Sequence, residues 1–303
     1  MTAGIMLFAN ADADNAVDDY VSQARRARDL GVPHVWVAQQ FDYDAITLSG
    51  LIGAAVPGLG VGTAAVPFNP RHPLTVASQA QTVQAATHGN FSLGMGLGAH
   101  EPERVSYGQA WPGTIDRLRE YLAVLRSVFD TGAVDFHGER FTAAPTWPVR
   151  LAGGTPVPVY VAAMGPKALR VTGELADGTL PYLAGPRTLD EFIVPTITEA
   201  AADAGRPAPR IIAFVPAQVT DDVEAARAAA AEQLAFYATI PSYQKVIARE
   251  GITDLTDLTA IGDPDAVRRA LQRYRDAGAT DIVLSPIDRT RPDERLWELA
   301  GVL

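Results

Sequence analysis

A chain of 303 residues, 48% of them hydrophobic, is long enough for one large core or two modest ones. Its net charge of −10 repels nucleic acid and anionic membrane, so an anionic ligand has to be met by a local basic pocket. There is no cysteine, which excludes disulfides, thiolate metal sites and cysteine nucleophiles and makes a reducing cytoplasm the expected setting.

Short apolar runs alternate with helix-period segments along the chain. GIMLFA (4–9) reads as a strand, followed by a helix over Asp18–Leu30 that stops at Gly31. HVWVA (34–38) is the second strand; it leads through QQFDYDA to a helix near Ile46–Val56. GVGTAAV (60–66) is the third, and its helix opens at Pro73, a first helical position where the missing N–H has no intrahelical partner to lose. FSLGMGLG (91–98) is the fourth strand, with a helix over about Thr114–Phe129. VPVYVAA (157–163) precedes a helix from Pro166, GTLPYLA (178–184) precedes Leu189–Ala204, and RIIAFVPAQV (210–219) precedes Val223–Tyr237. A helix over Pro264–Ala277 leads into DIVLSP (281–286), the eighth strand, with no helix expected behind it.

Repeated strand-then-helix is the pattern of a parallel sheet, and eight units in this length fit a closed (β/α)8 TIM barrel of α/β class. A doubly wound open sheet is the structural alternative. Residues 132–156 break the rhythm with turn signals and read as an excursion with a small hairpin. Residues 238–262 read as an extra helical segment and linker. With no interdomain linker in view, 1–303 is expected to be a single domain. No run approaches 18 uninterrupted apolar residues, so no membrane span is expected.

In such a barrel reactive groups gather at the C-terminal ends of strands. Those positions here are rich in amides and small residues but poor in acids and bases: only His100, Glu101 and His72 titrate usefully near neutral pH. The five histidines (34, 72, 88, 100, 137) show no metal-ligand spacing, so no metal site is expected. There is no Gly-x-Ser-x-Gly elbow. GLGVG (58–62) enters a strand instead of opening a helix, which argues against a dinucleotide fingerprint. The chain looks built to hold a group that brings its own chemistry.

Two stretches bear on that group. In LGMGLG the glycines at 94, 96 and 98 share one parity, which either lets a flat ring approach the strand or relieves a crowded barrel interior. In AAMGPKALR (162–170) a strand ends in two alanines and a Met-Gly turn, and Pro166 starts a helix whose first N–H groups point back toward the strand end. That is either an anion cup, reinforced by Lys167 and Arg170, or an ordinary strand-to-helix turn.

Together, GTAAVPFNPRHPL with QAQTVQAATHGNFSLGMGLG, VPVYVAAMGPKALRVTGELADG and GDPDAVRRALQRYRDAGATDIVLSP resemble successive blocks of the bacterial luciferase-like flavin and deazaflavin oxidoreductases. The resemblance implies a luciferase-like TIM barrel carrying reduced flavin, or coenzyme F420 as in actinobacterial and archaeal branches. The Gln40-to-Ala45 segment is most similar to an F420-dependent branch. The resemblance also implies a non-proline cis bond at Ala64–Ala65 against the central ring. On this reading Gln40 meets the polar edge of the ring and Gly98 and its neighbours back it. Ala162, Ala163, Met164, Gly165, Pro166 and Lys167 take the phosphate, and Arg71, Arg170 and Arg187 face an oligoglutamate tail.

Two departures from the family pattern matter. Gln39-Gln40 stands where many relatives have an acidic-His pair, and Met164 replaces the first glycine of the phosphate loop. His100 is the expected proton donor, with helix capping or a solvated loop position as its other reading; His72 is expected to cap the helix opened by Pro73. Trp111, Trp147, Tyr107 and Tyr182 are candidates for shaping a substrate pocket. The reaction implied is hydride transfer between F420 and a small organic substrate. The alternatives are an FMN-dependent monooxygenase and a cofactor-binding protein without turnover. A homodimer is the assembly common among family members.

Overall fold

The computed structural model describes residues 3–98 and 100–303, with backbone alone for residues 100–103. All eight expected strands are present: Ala3–Met6, His34–Val37, Gly60–Thr63, Phe91–Gly96, Val159–Ala162, Gly178–Thr179, Arg210–Val219 and Asp281–Pro286. Numbered one to eight, they follow the sheet order 7-8-1-2-3-4-5-6. The eighth strand pairs parallel with the first (Ala3↔Ile282, Ile5↔Leu284), and the first pairs parallel with the second. A sequential order in which the last strand meets the first is that of the (β/α)8 barrel, and the doubly wound alternative falls away.

The chain divides into two compact units. One comprises the N-terminal segment to Trp36 with Leu180–Thr196 and Arg210–Leu303. Its central strands are Val/Ile/Leu-rich because helices and neighbouring side chains cover both faces: Ile5, Val215, Ile282 and Leu284 are fully buried. Trp36 packs edge-to-face on Phe214 with ring centroids 5.5 Å apart. The first helix, Ala16–Asp29, is capped by Asn15, whose side chain accepts from the N–H of Val17 and Asp18.

Several expectations are corrected. A helix, Glu294–Gly301, does stand behind the eighth strand; Asp293 caps it, and Leu296, Trp297, Leu299 and Ala300 are buried along it. At eight residues it spans little more than two turns, short of the window over which a helical period stands out in sequence. The sixth strand ends at Thr179 because Pro181 cannot donate to a ladder, leaving an isolated bridge between Tyr182 and Phe214. The 238–262 stretch contains the helix Pro241–Glu250, a 3-10 turn Leu255–Leu258 and a short strand Ala260–Gly262 parallel to the seventh.

The other unit, Val37–Thr179 with Ile197–Pro209, holds the third, fourth, fifth and sixth strands. Their helices are Ala45–Ala55, Pro73–Ala86, Thr114–Thr131 and Pro166–Leu175, and an unanticipated short helix spans His100–Tyr107. The expected hairpin is two short antiparallel strands, Phe136–His137 and Thr142–Ala143. Glu120 holds its turn by accepting from the backbone N–H of Glu139, Arg140 and Phe141, each at 2.9 Å.

Candidate functional site

The third strand stops hydrogen-bonding as a regular ladder at Thr63. The buried Thr63 hydroxyl donates to the carbonyl of Gly94 and accepts from its N–H, both at 2.9 Å, so a side chain carries the bonding to the fourth strand. Ala64 N–H still donates to Val37 O at 2.9 Å, and pairing with the fourth strand resumes at Val66↔Met95 and Pro67↔Gly96. Between these anchors the Ala64–Ala65 peptide bond is cis, as the resemblance implied. Both alanines are partly exposed while Thr63 and Val66 are buried. The result is a small patch of bare backbone and methyl groups.

Gly96 decides between the two readings of the glycine stripe. A Cβ built there would lie 3.5 Å from Ala65 Cβ and touch nothing closer. That is ordinary contact, so packing does not demand glycine here; its absent side chain leaves the space before Ala65 open. Gly98 is different, since its φ of +78° is a conformation that favours glycine outright.

The proline-rich exit from this strand is pinned at several points. Asn69 is 2% exposed and accepts from Arg117 Nη2 at 2.9 Å and Nε at 3.2 Å. His72 caps the next helix through Nδ1, which accepts from Leu74 N–H at 3.2 Å. The expectation of a capping role is met. Arg71 turns inward instead of facing an acidic tail: it pairs with Asp44 at 2.6 Å and with Gln39 at 3.0 Å. Burial pushes the Asp44 carboxyl up, but hydrogen bonds from Thr47 and from Arg71 outweigh it and hold the group below its usual range.

Gln39 and Gln40 take separate roles. The Gln39 amide donates to the carbonyls of Gln40 (2.5 Å) and Tyr43 (2.6 Å), and its oxygen accepts from Ala45 N–H at 3.0 Å. Sequence reading missed this residue as the organiser of its loop; only its loop partners, one to six residues away, reveal it. Gln40 is exposed, with an amide free of partners among the described residues. Beside it Phe41 is 78% exposed and stacks with Tyr107, which in turn meets Trp111 edge-on at 5.7 Å. Trp147 is 83% exposed on the hairpin excursion.

At the fifth strand's end the chain reads as expected. Ala162 is partly exposed, Ala163 is buried and Met164 is half-buried. Thr179 anchors the strand end by donating to Val161 O at 2.8 Å. Gly165 is the N-cap of Pro166–Leu175 in an extended conformation and offers no side-chain cap. A Cβ at Gly165 would meet nothing within 4 Å. The first N–H groups of this helix, from Lys167 and Ala168, thus receive no side-chain cap from Gly165, as an anion seat requires. Lys167 is exposed beside them. Arg170 is exposed in a groove that Glu174, Glu199 and Asp203 also line, and Arg187 pairs with Glu191 at 3.0 Å. Of the three arginines expected to face an acidic tail, Arg71 and Arg187 are thus already paired.

His100 opens the helix His100–Tyr107, and its side chain lies outside the described residues. In the other unit Tyr182 joins Tyr237 and Tyr243, with centroids 5.1–6.5 Å apart, and burial raises the Tyr182 and Tyr243 hydroxyls above their ordinary values. Among the described residues no group of three or more potential metal ligands occurs, and no helix is long and apolar enough to cross a membrane.

Comparison with known proteins adds to this geometry. The family model for luciferase-like monooxygenases matches residues 1–281. A 5,10-methylenetetrahydromethanopterin reductase of Methanopyrus kandleri is 27% identical over 91% of this chain and 90% of its own. Two solved structures share the fold. A coenzyme F420-dependent tetrahydromethanopterin reductase from Methanopyrus kandleri has a TM-score of 0.82 at 22% identity, covering 99% of this chain and 98% of that one. An F420-dependent secondary alcohol dehydrogenase, solved with an F420-acetone adduct, has a TM-score of 0.80 at 21% identity, covering 100% and 98%.

Proposed function

Because the chain belongs to the luciferase-like monooxygenase family, we propose that it is an F420-dependent oxidoreductase acting on a small organic substrate. The observation that carries this reading is the bare patch at Ala64–Ala65, kept open by Gly96, in the same unit as an uncapped helix start at Gly165. The first suits the flat face of a tricyclic ring and the second suits a phosphate. Reduced F420, when bound, supplies a hydride.

The chain's own contribution is binding, orientation and exclusion of water. Ala64, Ala65 and Gly98 back the ring without side chains that compete for the space, and Gln40 offers a free amide to its polar edge. Ala162 and Ala163 bring the strand to the Met164-Gly165 turn. The N–H groups after Pro166, with Lys167, meet the phosphate. His100 keeps its place as the proton donor in this reading, since the described strand ends offer few other groups that titrate near neutrality.

The test is an anaerobic fluorescence titration with F420, FMN and FAD in parallel, followed by turnover of reduced F420 against enones, imines and sugars. The expected result is saturable F420 binding well below the concentrations needed for either flavin, with His100→Asn binding normally but turning over slowly. Preference for FMN with NADH-driven oxygen uptake would make the protein a monooxygenase. Tight F420 binding with no turnover across the panel would make it a carrier.

A further inference from the structure

The unit containing the seventh and eighth strands holds an arginine whose charge is unanswered. Arg289 is half-buried just after the eighth strand. Its guanidinium carbon lies 4.7 Å from the centroid of the Phe8 ring, and Nη2 donates to the Tyr182 hydroxyl at 3.3 Å. With the Gln233 amide turned so that it donates to Ile287 O at 2.9 Å, its oxygen accepts from Arg289 Nε and, at 3.1 Å, from Nη2. A ring face, a hydroxyl and an amide therefore hold the guanidinium through its plane, Nε and Nη2, and leave Nη1 without a partner among the described residues. Among the described residues no carboxylate lies within ion-pair distance of it, whereas the equally half-buried Arg71, Arg126 and Arg206 each meet one.

Arg289 lines a groove of about 530 Å³ with Gln218, Thr220, Gln233, Ile287 and Thr290. Three carboxylates also line it, and two are committed: Asp222 caps the helix Val223–Ala238 through Ala225 N–H, and Asp288 holds Thr290 and Arg291. Glu232 is exposed. Partial burial of a cation without a counter-charge is unfavourable, and a guanidinium fixed through Nε and Nη2 has its Nη1 preorganised to donate.

We propose that Arg289 binds an oxyanion, a carboxylate or phosphoryl group, carried by the substrate. The assignment to the substrate and not to the cofactor's tail rests on the proposed function, in which the cofactor's phosphate is met at Gly165. Phe8 and Gln233 are the positioning residues: the ring lies under the guanidinium and the amide fixes Nε and Nη2, which leaves Nη1 for the ligand.

The experiment is calorimetric titration of the cofactor-free protein with inorganic phosphate and, separately, with benzoate, for the wild type, Arg289→Gln and Arg289→Lys. F420 titrations of all three run alongside, with melting temperatures as a check on folding. Saturable binding of at least one probe is expected, at least tenfold weaker in Arg289→Gln and intermediate in Arg289→Lys, with F420 affinity changed less than twofold. Which probe binds separates a phosphoryl from a carboxylate ligand. Equal binding by wild type and variants, or no binding by wild type, overturns the proposal. So does weakened F420 binding with unchanged probe binding, which would give Arg289 to the cofactor. If Arg289→Gln does not fold, the Arg289→Lys comparison decides alone. Failure of F420 to bind the wild type while probe binding still depends on Arg289 would sink the functional reading and leave the anion site standing.

Discussion

The strand ends of the two units are made of opposite materials. In residues 37–179 they present backbone and methyl groups: Ala64, Ala65, Gly96, Gly98 and Gly165. In Leu180–Thr196 and Arg210–Leu303, joined by the N-terminal segment, the strand ends and the helices behind them present large side chains: Tyr182, Tyr237, Tyr243, Gln233 and Arg289 over Phe8. Backbone surfaces recognise shape and phosphate regardless of side-chain identity, whereas side-chain surfaces recognise particular functional groups. The first kind of surface suits the flat ring and phosphate proposed for it, and the second suits the oxyanion proposed for Arg289.

The comparison breaks most visibly at Ala65. Ala65→Phe fills the space that Gly96 leaves open, and F420 affinity is expected to fall by about 100-fold or more, roughly 2.7 kcal/mol. Binding of the Arg289 probes should stay within twofold. If both fell together, the two regions would not be separable. The measurement is a paired titration of one preparation.

A smaller effect sharpens the same contrast at Gly165. The position has ordinary backbone angles and open space around a Cβ, so Gly165→Asp should fold without strain. An aspartate there is a preferred helix cap, and its carboxylate would occupy the anion seat. The melting temperature is expected to hold or rise while F420 affinity drops about tenfold, near 1.4 kcal/mol. A variant that loses stability and binding together would argue that the turn is merely structural.

The smallest expected effect concerns His34, at the other end of the second strand from Gln39. Its Nδ1 is buried without a hydrogen-bond partner, and burial, helped by Arg210 and opposed by Asp281, holds its pKa below the ordinary value. Below about pH 6.5 the unfolded chain takes up a proton that the folded chain resists, so stability is full above that pH and declines as pH falls. Urea midpoints measured at pH 7.5, 6.0 and 5.0 should decline, and His34→Gln should flatten the decline. F420 affinity of the variant at pH 7.5 should match the wild type, since no candidate site residue is altered.

The order of strands and helices was legible because β-branched runs are punctuated by Gly and Pro at nearly every boundary, as at Gly31, Pro73 and Pro166. The helices His100–Tyr107 and Glu294–Gly301 were not, because eight residues give an apolar period too little length. Within the candidate site, nothing local in Thr-Ala-Ala-Val marks its cis bond; resemblance alone pointed there. Arg71 was expected to face an acidic tail because its partner Asp44 lies 27 residues away. The holders of Arg289 are further still, with Tyr182 at 107 residues. Contacts of that span are decided by folding topology and leave no periodic trace.

The bonds of Gln39 have an evolutionary consequence. Because one amide fastens its loop from Gln40 to Ala45, the outward residues Phe41 and Asp42 can be exchanged while the loop's path is preserved. Such a segment is a natural place for related enzymes to diverge in specificity, and a sensible first cassette for anyone wishing to redirect this one.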